Sequence, residues 1–329
     1  PVVLVTGSAQ RIGRAIAREL AQHGFDVAVH YRASRAQALG AVAELRAAGA
    51  TAHAFEADLA DEAACRALVP RVVARFGRLD ALVNNASMFE HDDAASFGYA
   101  AMERHWRANT GPAVLLAQAL HTQWLAPRAL PRRPARRALH LQQAVVSKAE
   151  AEAVNSAEPG ASGCVVNLLD QKLWNPNPDY FSYTLSKAAL QAATVMLAQA
   201  FAPHLRVCGV APGVTLLSGP MNAAEFAAAH RLTPLERSST PQDIARAVRF
   251  LIESPAITGT TLLVDGGQHL SAQPRDVLYL ARETAPPSPP PAPKAAKRPL
   301  RGPGSGGKSA SPLSKATKTP LRSVRTSKK

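Results

Sequence analysis

A chain of 329 residues is long enough for one large domain with a substantial core. Its net charge of +14 suggests nucleic acid, but eleven of the 38 lysines and arginines lie in residues 285–329, which carry no acidic residue. The other 27 face 24 carboxylates, about +3 in all, so the basic signal belongs to a tail rather than to the folded part.

The three cysteines are scattered, with neither metal-ligand nor redox spacing, and suit a reducing cytoplasm. No apolar run approaches the roughly 18 residues of a membrane span, and no signal-peptide pattern precedes the first strand. That strand is Val2-Val3-Leu4-Val5, an apolar run that reads as buried and parallel. Thr6-Gly7-Ser8-Ala9-Gln10-Arg11-Ile12-Gly13 follows, and Ile12, Ile16 and Leu20 then recur at helical spacing. Strand, glycine turn and helix are the context of a dinucleotide fingerprint. Gly7 permits the turn, Gly13 lets helix and sheet approach, and the helix N-terminus offers N–H groups to a pyrophosphate. The alternative is an ordinary strand-to-helix turn.

A second strand, Phe25-Asp26-Val27-Ala28-Val29, ends at His30, Tyr31 and Arg32. An acidic residue here would accept the ribose 2′-hydroxyl of NAD. None is present, and Arg32 can meet a 2′-phosphate, so NADPH is expected; the alternative is a solvated strand-end charge. A helical pattern over 34–48 leads to a third strand, Ala52-His53-Ala54-Phe55-Glu56-Ala57-Asp58, where Asp58 and Leu59 mark the adenine end. The next helix carries Leu68, Val72 and Val73. A fourth strand, Leu79-Asp80-Ala81-Leu82-Val83-Asn84-Asn85-Ala86, ends in amides that can bridge strands and line a cofactor pocket. This alternation argues a parallel, doubly wound sheet.

Ser87-Met88-Phe89 sits at the carboxyl end of that strand, where such sheets bind ligands. Phe89 can stack on a flat ring or be a half-buried loop aromatic. Glu90, His91, Asp92 and Asp93 have a metal-like composition, but consecutive ligands do not converge on one ion; a solvated loop and no metal are expected. Asn109-Thr110-Gly111-Pro112 within a long helix predicts a kink with a structural or proton-relay purpose. Residues 126–160, basic and proline-interrupted, read as a surface insertion in preference to a nucleic-acid site.

Val165-Val166-Asn167-Leu168-Leu169 is a fifth strand, ended by Asp170. Tyr183 follows thirteen residues later, on a helix running to about Phe201. Tyr183 and Lys187, four apart, point the same way, and an ammonium near a phenol favours the phenolate. Leu205-Arg206-Val207-Cys208-Gly209-Val210-Ala211 is a sixth strand closed by Pro212-Gly213. Residues 214–235 are a candidate lid, Thr240-Pro241-Gln242-Asp243 caps a helix to about Ile252, and a last strand ends in Val264-Asp265-Gly266-Gly267. The Pro- and Lys-rich tail, 285–329, cannot bury enough apolar surface to fold alone. It can bind polyanions weakly, or serve only to solubilise.

Together, the Thr6-Gly7 to Gly13 run, Asp58-Leu59, Asn84-Asn85-Ala86, Asn109, Tyr183 with Lys187, Pro212-Gly213 and Val264-Asp265-Gly266-Gly267 resemble the short-chain dehydrogenase/reductase family, in its order, over residues 1 to about 270. The resemblance implies an α/β fold, one Rossmann-type doubly wound parallel sheet of about seven strands flanked by helices. It makes 1–270 the NADP-binding reductase domain, 271–284 a linker and 285–329 a disordered tail. Arg11 replaces the family's usual middle glycine and Asp170 its usual serine. With Ser87-Met88-Phe89, His30-Tyr31 and Ser34, they look like the pteridine reductases and related bacterial dihydromonapterin and dihydrofolate reductases.

That likeness implies cofactor contacts from Gly7, Arg11, Ile12, Gly13, His30, Tyr31, Arg32, Ser34, Asp58, Leu59, Asn85, Ala86, Pro212 and Gly213. Arg11, Ser87, Phe89 and Tyr183 would meet a pterin-like substrate. Tyr183 would donate a proton aided by Asp170. Lys187 would hold the nicotinamide ribose and lower the Tyr183 pKa, and Asn109 would connect Lys187 to solvent through water. A homo-oligomer, tetramer or dimer, is the family habit. The rivals are a 3-oxoacyl-thioester or sugar reductase of the same family, and an inactive scaffold with a polyanion-binding tail, against which the intact Tyr183 and Lys187 argue.

Overall fold

The computed structural model describes residues 1–125, 162–217 and 221–284; the 126–160 insertion and the 285–329 tail lie outside the described residues. The apolar runs become β1 (Val2–Val5), β2 (Asp26–Tyr31), β3 (Ala52–Glu56), β4 (Ala81–Asn84), β5 (Gly163–Leu168), β6 (Leu205–Pro212) and β7 (Thr261–Val264). All neighbours pair in parallel, in the order β3-β2-β1-β4-β5-β6-β7. The central strands are apolar on both faces because helices cover both. Val5 lies level with Val29 and with Val83, and Asn84 with Asn167, so the carboxyl ends form one edge. The winding reverses between β1 and β4, which opens a crevice above their carboxyl ends.

On one face, α1 (Arg11–Gln22), α2 (Arg35–Ala47) and α8 (Pro241–Glu253) bury Ile16, Leu20, Leu45, Ile244 and Leu251. On the other, α3 (Glu62–Phe76), α5 (Gly111–Leu125) and α6 (Phe181–Phe201) bury Leu68, Val72, Leu116, Leu120 and Leu197. A buried amide ladder ties sheet to helix. Asn84 Nδ2 donates to Asn167 Oδ1 at 2.8 Å, and Asn167 Nδ2 to Thr194 Oγ1 at 2.9 Å.

The kink expected near Asn109 is a π-helical turn, Trp106–Thr110, between α4 (Tyr99–His105) and α5. Pro112, which has no N–H to continue the α ladder, lies just beyond it. The expected lid contains α7 (Ala223–Arg231), started by a capping box of Asn222 and Glu225.

Two expectations are corrected. Residues 271–284 are not a linker: α9 (Val277–Thr284) buries Val277 and Ala281 against Ala228 and Ala229 of α7. The small side chains of α7 admit the close approach, so the domain extends through α9. Asp92 is not solvated either. It is buried and accepts hydrogen bonds from the Ser182 N–H, at 2.9 Å, and from the Ser182 hydroxyl, satisfying the first turn of α6 from outside the helix. Among the described residues no helix is long and apolar enough to cross a membrane.

Asp92→Ala leaves these donors buried without an acceptor, at a cost of about 2 kcal/mol. The urea midpoint should fall accordingly with an unchanged m-value; an unchanged midpoint would show that α6 needs no external cap.

Candidate active site

The turn after β1 is held from below. The Gly7 N–H donates to His30 Nδ1 at 3.0 Å, and His30 Nε2 donates to the Ala57 carbonyl at 3.1 Å. Burial lowers the His30 pKa to about 4, so the ring is neutral and both nitrogens are committed. His30, expected to touch the cofactor, lines the cavity and is at the same time a strut under the phosphate turn. Asn85 Nδ2 donates to the Thr6 carbonyl at 2.8 Å and pins the same turn from β4.

Gly13 is required by approach: a Cβ there would lie 2.5 Å from both the Gly7 carbonyl oxygen and Asn85 Nδ2. The Gln10 side chain does not cap α1, which leaves its first N–H groups for an anion. Turn and helix end therefore fit a pyrophosphate.

Arg11 occupies the left-handed region at φ 55°, which costs a side-chain-bearing residue about 1–2 kcal/mol. Its guanidinium donates to the Leu217 carbonyl at 2.9 Å. At the ribose end the Tyr31 hydroxyl donates to Glu56 at 3.0 Å, so this side chain too is committed to the protein. Arg32 is exposed and forms no ion pair among the described residues. Ser34 precedes α2 without capping it, leaving a free hydroxyl and helix N-terminus beside Arg32. These groups suit a 2′-phosphate. Arg35, which sequence reasoning passed over, opens α2 next to them and was visible in its adjacency to Arg32.

At the other end, β5 delivers Asp170 and α6 delivers Tyr183 and Lys187. Tyr183 Oη donates to Asp170 Oδ2 at 2.8 Å, and Asp170 Oδ1 accepts the Lys172 N–H at 2.9 Å. Lys187 Nζ donates to the Leu168 carbonyl at 2.7 Å and stands 5.8 Å from the centre of the Tyr183 ring.

Burial raises the Asp170 pKa, opposed by its hydrogen bonds and by the charges of Lys172 and Lys187. Burial lowers Lys187 to about 8, with Asp170 opposing. Tyr183 is pushed well above the usual phenol value by burial and then by Asp170. This runs opposite to the expected lowering by Lys187: burial dominates, and the carboxylate is in hydrogen-bond contact with the phenol whereas the ammonium is tied to Leu168.

Every residue expected to touch cofactor or substrate lines one cavity of about 790 Å³, and Asp170, Tyr183 and Lys187 line it too. That volume is in the range of cofactor sites. Asn109 does not line it. Asn109 Oδ1 accepts the Met88 N–H at 2.7 Å and the Ser87 hydroxyl at 3.1 Å. Its Nδ2 donates to the Met88 carbonyl at 3.1 Å and to Ser186 Oγ at 2.9 Å. The amide thus fastens the Ser87–Phe89 stretch to α6 and makes no direct hydrogen bond to Lys187.

Phe89 stacks on Tyr180, centroids 4.1 Å apart and planes at 17°, and meets Tyr183 edge-on at 4.7 Å. Sequence reasoning missed Tyr180, one helical turn before Tyr183, where the spacing was a usable signal. It also missed wall residues Gln171, Lys172, Asn177, Gln273 and Asp276. Among the described residues no donor reaches the buried Gln171 Oε1 and Asn177 Oδ1.

The short chain dehydrogenase family model matches residues 1–129, and the enoyl-(acyl carrier protein) reductase model matches residues 135–269. Pteridine reductase 1 of Leishmania tarentolae is 32% identical over 298 residues, covering 82% of this chain and 97% of its own length. The 3-oxoacyl-(acyl-carrier-protein) reductase FabG of Staphylococcus aureus is 29% identical over 279 residues, covering 81% and 97%. Among solved structures, FolM alternative dihydrofolate reductase 1 of Brucella canis, complexed with NADP, is similar with a TM-score of 0.67 and 35% identity, covering 82% and 94%.

Removal of the Arg32 charge by Arg32→Ala should raise the NADPH Kd about 10- to 100-fold and leave the NADH Kd nearly unchanged. Titration of nicotinamide fluorescence would show it; equal effects on both cofactors would mean that Arg32 does not meet the 2′-phosphate.

Proposed function

The chain belongs to the short-chain dehydrogenase/reductase family, and on that premise we propose that it uses NADPH to reduce a C=N bond of a pterin-like or related heterocycle. The observation that carries this reading is the 2.8 Å hydrogen bond from Tyr183 to Asp170. Reducing C=N places a hydride on carbon and a proton on nitrogen. A serine at position 170 could only orient the substrate, whereas a carboxyl group can also supply that proton.

Bound NADPH supplies the hydride. Gly7 and the first turn of α1 would hold its pyrophosphate, Arg32 and Ser34 its 2′-phosphate, and Lys187 its nicotinamide ribose. Phe89 offers a flat wall for the substrate ring beside Tyr183. As the C=N electron pair collapses onto nitrogen, that nitrogen takes the Tyr183 proton, and Tyr183 Oη takes the proton of a protonated Asp170. No free phenolate is required, which matters because the Tyr183 pKa is raised. Asp170 is left as a carboxylate held by the Lys172 N–H, and it regains a proton from solvent in the cavity.

Likeness to a 3-oxoacyl reductase supports a second reading, reduction of a carbonyl. NADPH oxidation with dihydrobiopterin and with an acetoacetyl thioester separates the two: pterin turnover is expected, and turnover of the thioester alone would sink the first reading. The working form of Lys187 is the cation, whose pKa is lowered to about 8, so kcat/KM should decline as pH rises through 8. A profile flat across that pH would remove Lys187 from the charged set.

A further inference from the structure

Lys172 is buried, with 4% of its surface exposed, and although its main-chain N–H holds Asp170 its ammonium has no part in the steps above. A buried ammonium is costly unless paired and fully hydrogen-bonded. Here Lys172 Nζ donates to the Asp179 carbonyl at 2.5 Å and to Asp276 Oδ2 at 3.3 Å, and lies 5.4 Å from the centre of the Tyr180 ring. Its own N–H is the one that holds Asp170 Oδ1.

Asp276 comes from the stretch leading into α9. Its neighbour Arg275 reinforces the join. Arg275 Nε and Nη2 each donate to the buried Asp179 carboxylate at 2.8 Å, and the Asp276 N–H donates to the same carboxylate at 2.7 Å. Two ion pairs from adjacent residues therefore clamp the loop that runs from Asp170 to Tyr180. Within that loop the only regular structure is a short 3₁₀ turn, Gln171–Trp174; Asn175 Nδ2 also donates to the Ser271 carbonyl.

We propose that Lys172 and Asp276 are positioning residues for Asp170: docking of the C-terminal segment through this pair holds the Asp170 carboxyl against Tyr183 and completes the proton-donating set. The inference rests on the reading that Asp170 supplies protons to Tyr183. A purely structural ion pair would stabilise the fold without touching the behaviour of Asp170. Here the same residue joins the clamp to Asp170 by its main chain, and its charge faces Asp170 as well. The groups facing Asp170 are Lys172, Lys187 and Tyr183. Those facing Lys172 are Asp276, Asp170, the Asp179 carbonyl and carboxylate, and Tyr180.

The test uses the full chain and needs no substrate for its first arm. Protonation of Asp170 is followed by the infrared carboxyl band that disappears in Asp170→Asn. Lys172→Met removes a charge that favours the carboxylate, so the Asp170 midpoint should move to higher pH, and Lys172→Arg should restore it. In the second arm, with whichever substrate is turned over, Lys172→Met should lower kcat roughly 10- to 100-fold with the KM for NADPH unchanged. A wild-type Asp170 midpoint in Lys172→Met would overturn the proposal. If that variant does not fold, Asp276→Asn keeps Lys172 and opens the clamp. Reduced kcat at unchanged NADPH KM supports the proposal, and wild-type kcat overturns it. Turnover of a thioester alone would remove the pterin reading and leave this test standing.

Discussion

A carboxylate and a phenol removed from water must satisfy each other, and Asp170 and Tyr183 do so at 2.8 Å. Most of the structure around them serves to bring these two groups together and keep them there. β5 carries Asp170 to the edge of the sheet, and α6 carries Tyr183 with Lys187 one turn further on. The Asn84–Asn167–Thr194 ladder ties β4, β5 and α6 together, Asp92 satisfies the start of α6, and Asn109 fixes the loop of Phe89 against the same helix. The burial that makes the pair demanding also weakens Asp170 as an acid, and so lets it keep a proton nearer neutral pH.

The cofactor end obeys a different constraint, which is approach rather than charge. Gly13 has no room for a Cβ, and His30 is sacrificed as a neutral strut so that Gly7 can make its turn. Arg11 breaks the pattern, holding a left-handed backbone where glycine would be free of strain. The side chain repays that by spanning to Leu217, at the entrance to the segment that contains α7.

The parallel sheet and the phosphate turn were legible because they depend on short-range patterns: apolar runs, glycine spacing and helical periodicity. The pairing of Asp170 with Tyr183 was legible through the family likeness, with Asp170 in place of the usual serine. The direction of the Tyr183 shift was not, because it depends first on how deeply the phenol is buried and then on its contact with the Asp170 carboxylate. Asp92 hid in a run of acidic and histidine residues whose composition suggested solvent. α9 was unreadable because its few apolar residues gain their meaning only against the alanines of α7, far earlier in the chain. Lys172 went unnoticed, since its partner Asp276 lies in that same unrecognised segment.

Asp170→Ser restores the residue that most of the family carries and removes only the proton-bearing group. Single-turnover reduction of dihydrobiopterin, with NADPH binding measured alongside, tests the account most directly. The rate should fall at least about a hundredfold at an unchanged NADPH Kd. A serine variant that reduces the pterin at the wild-type rate would contradict the role given to Asp170.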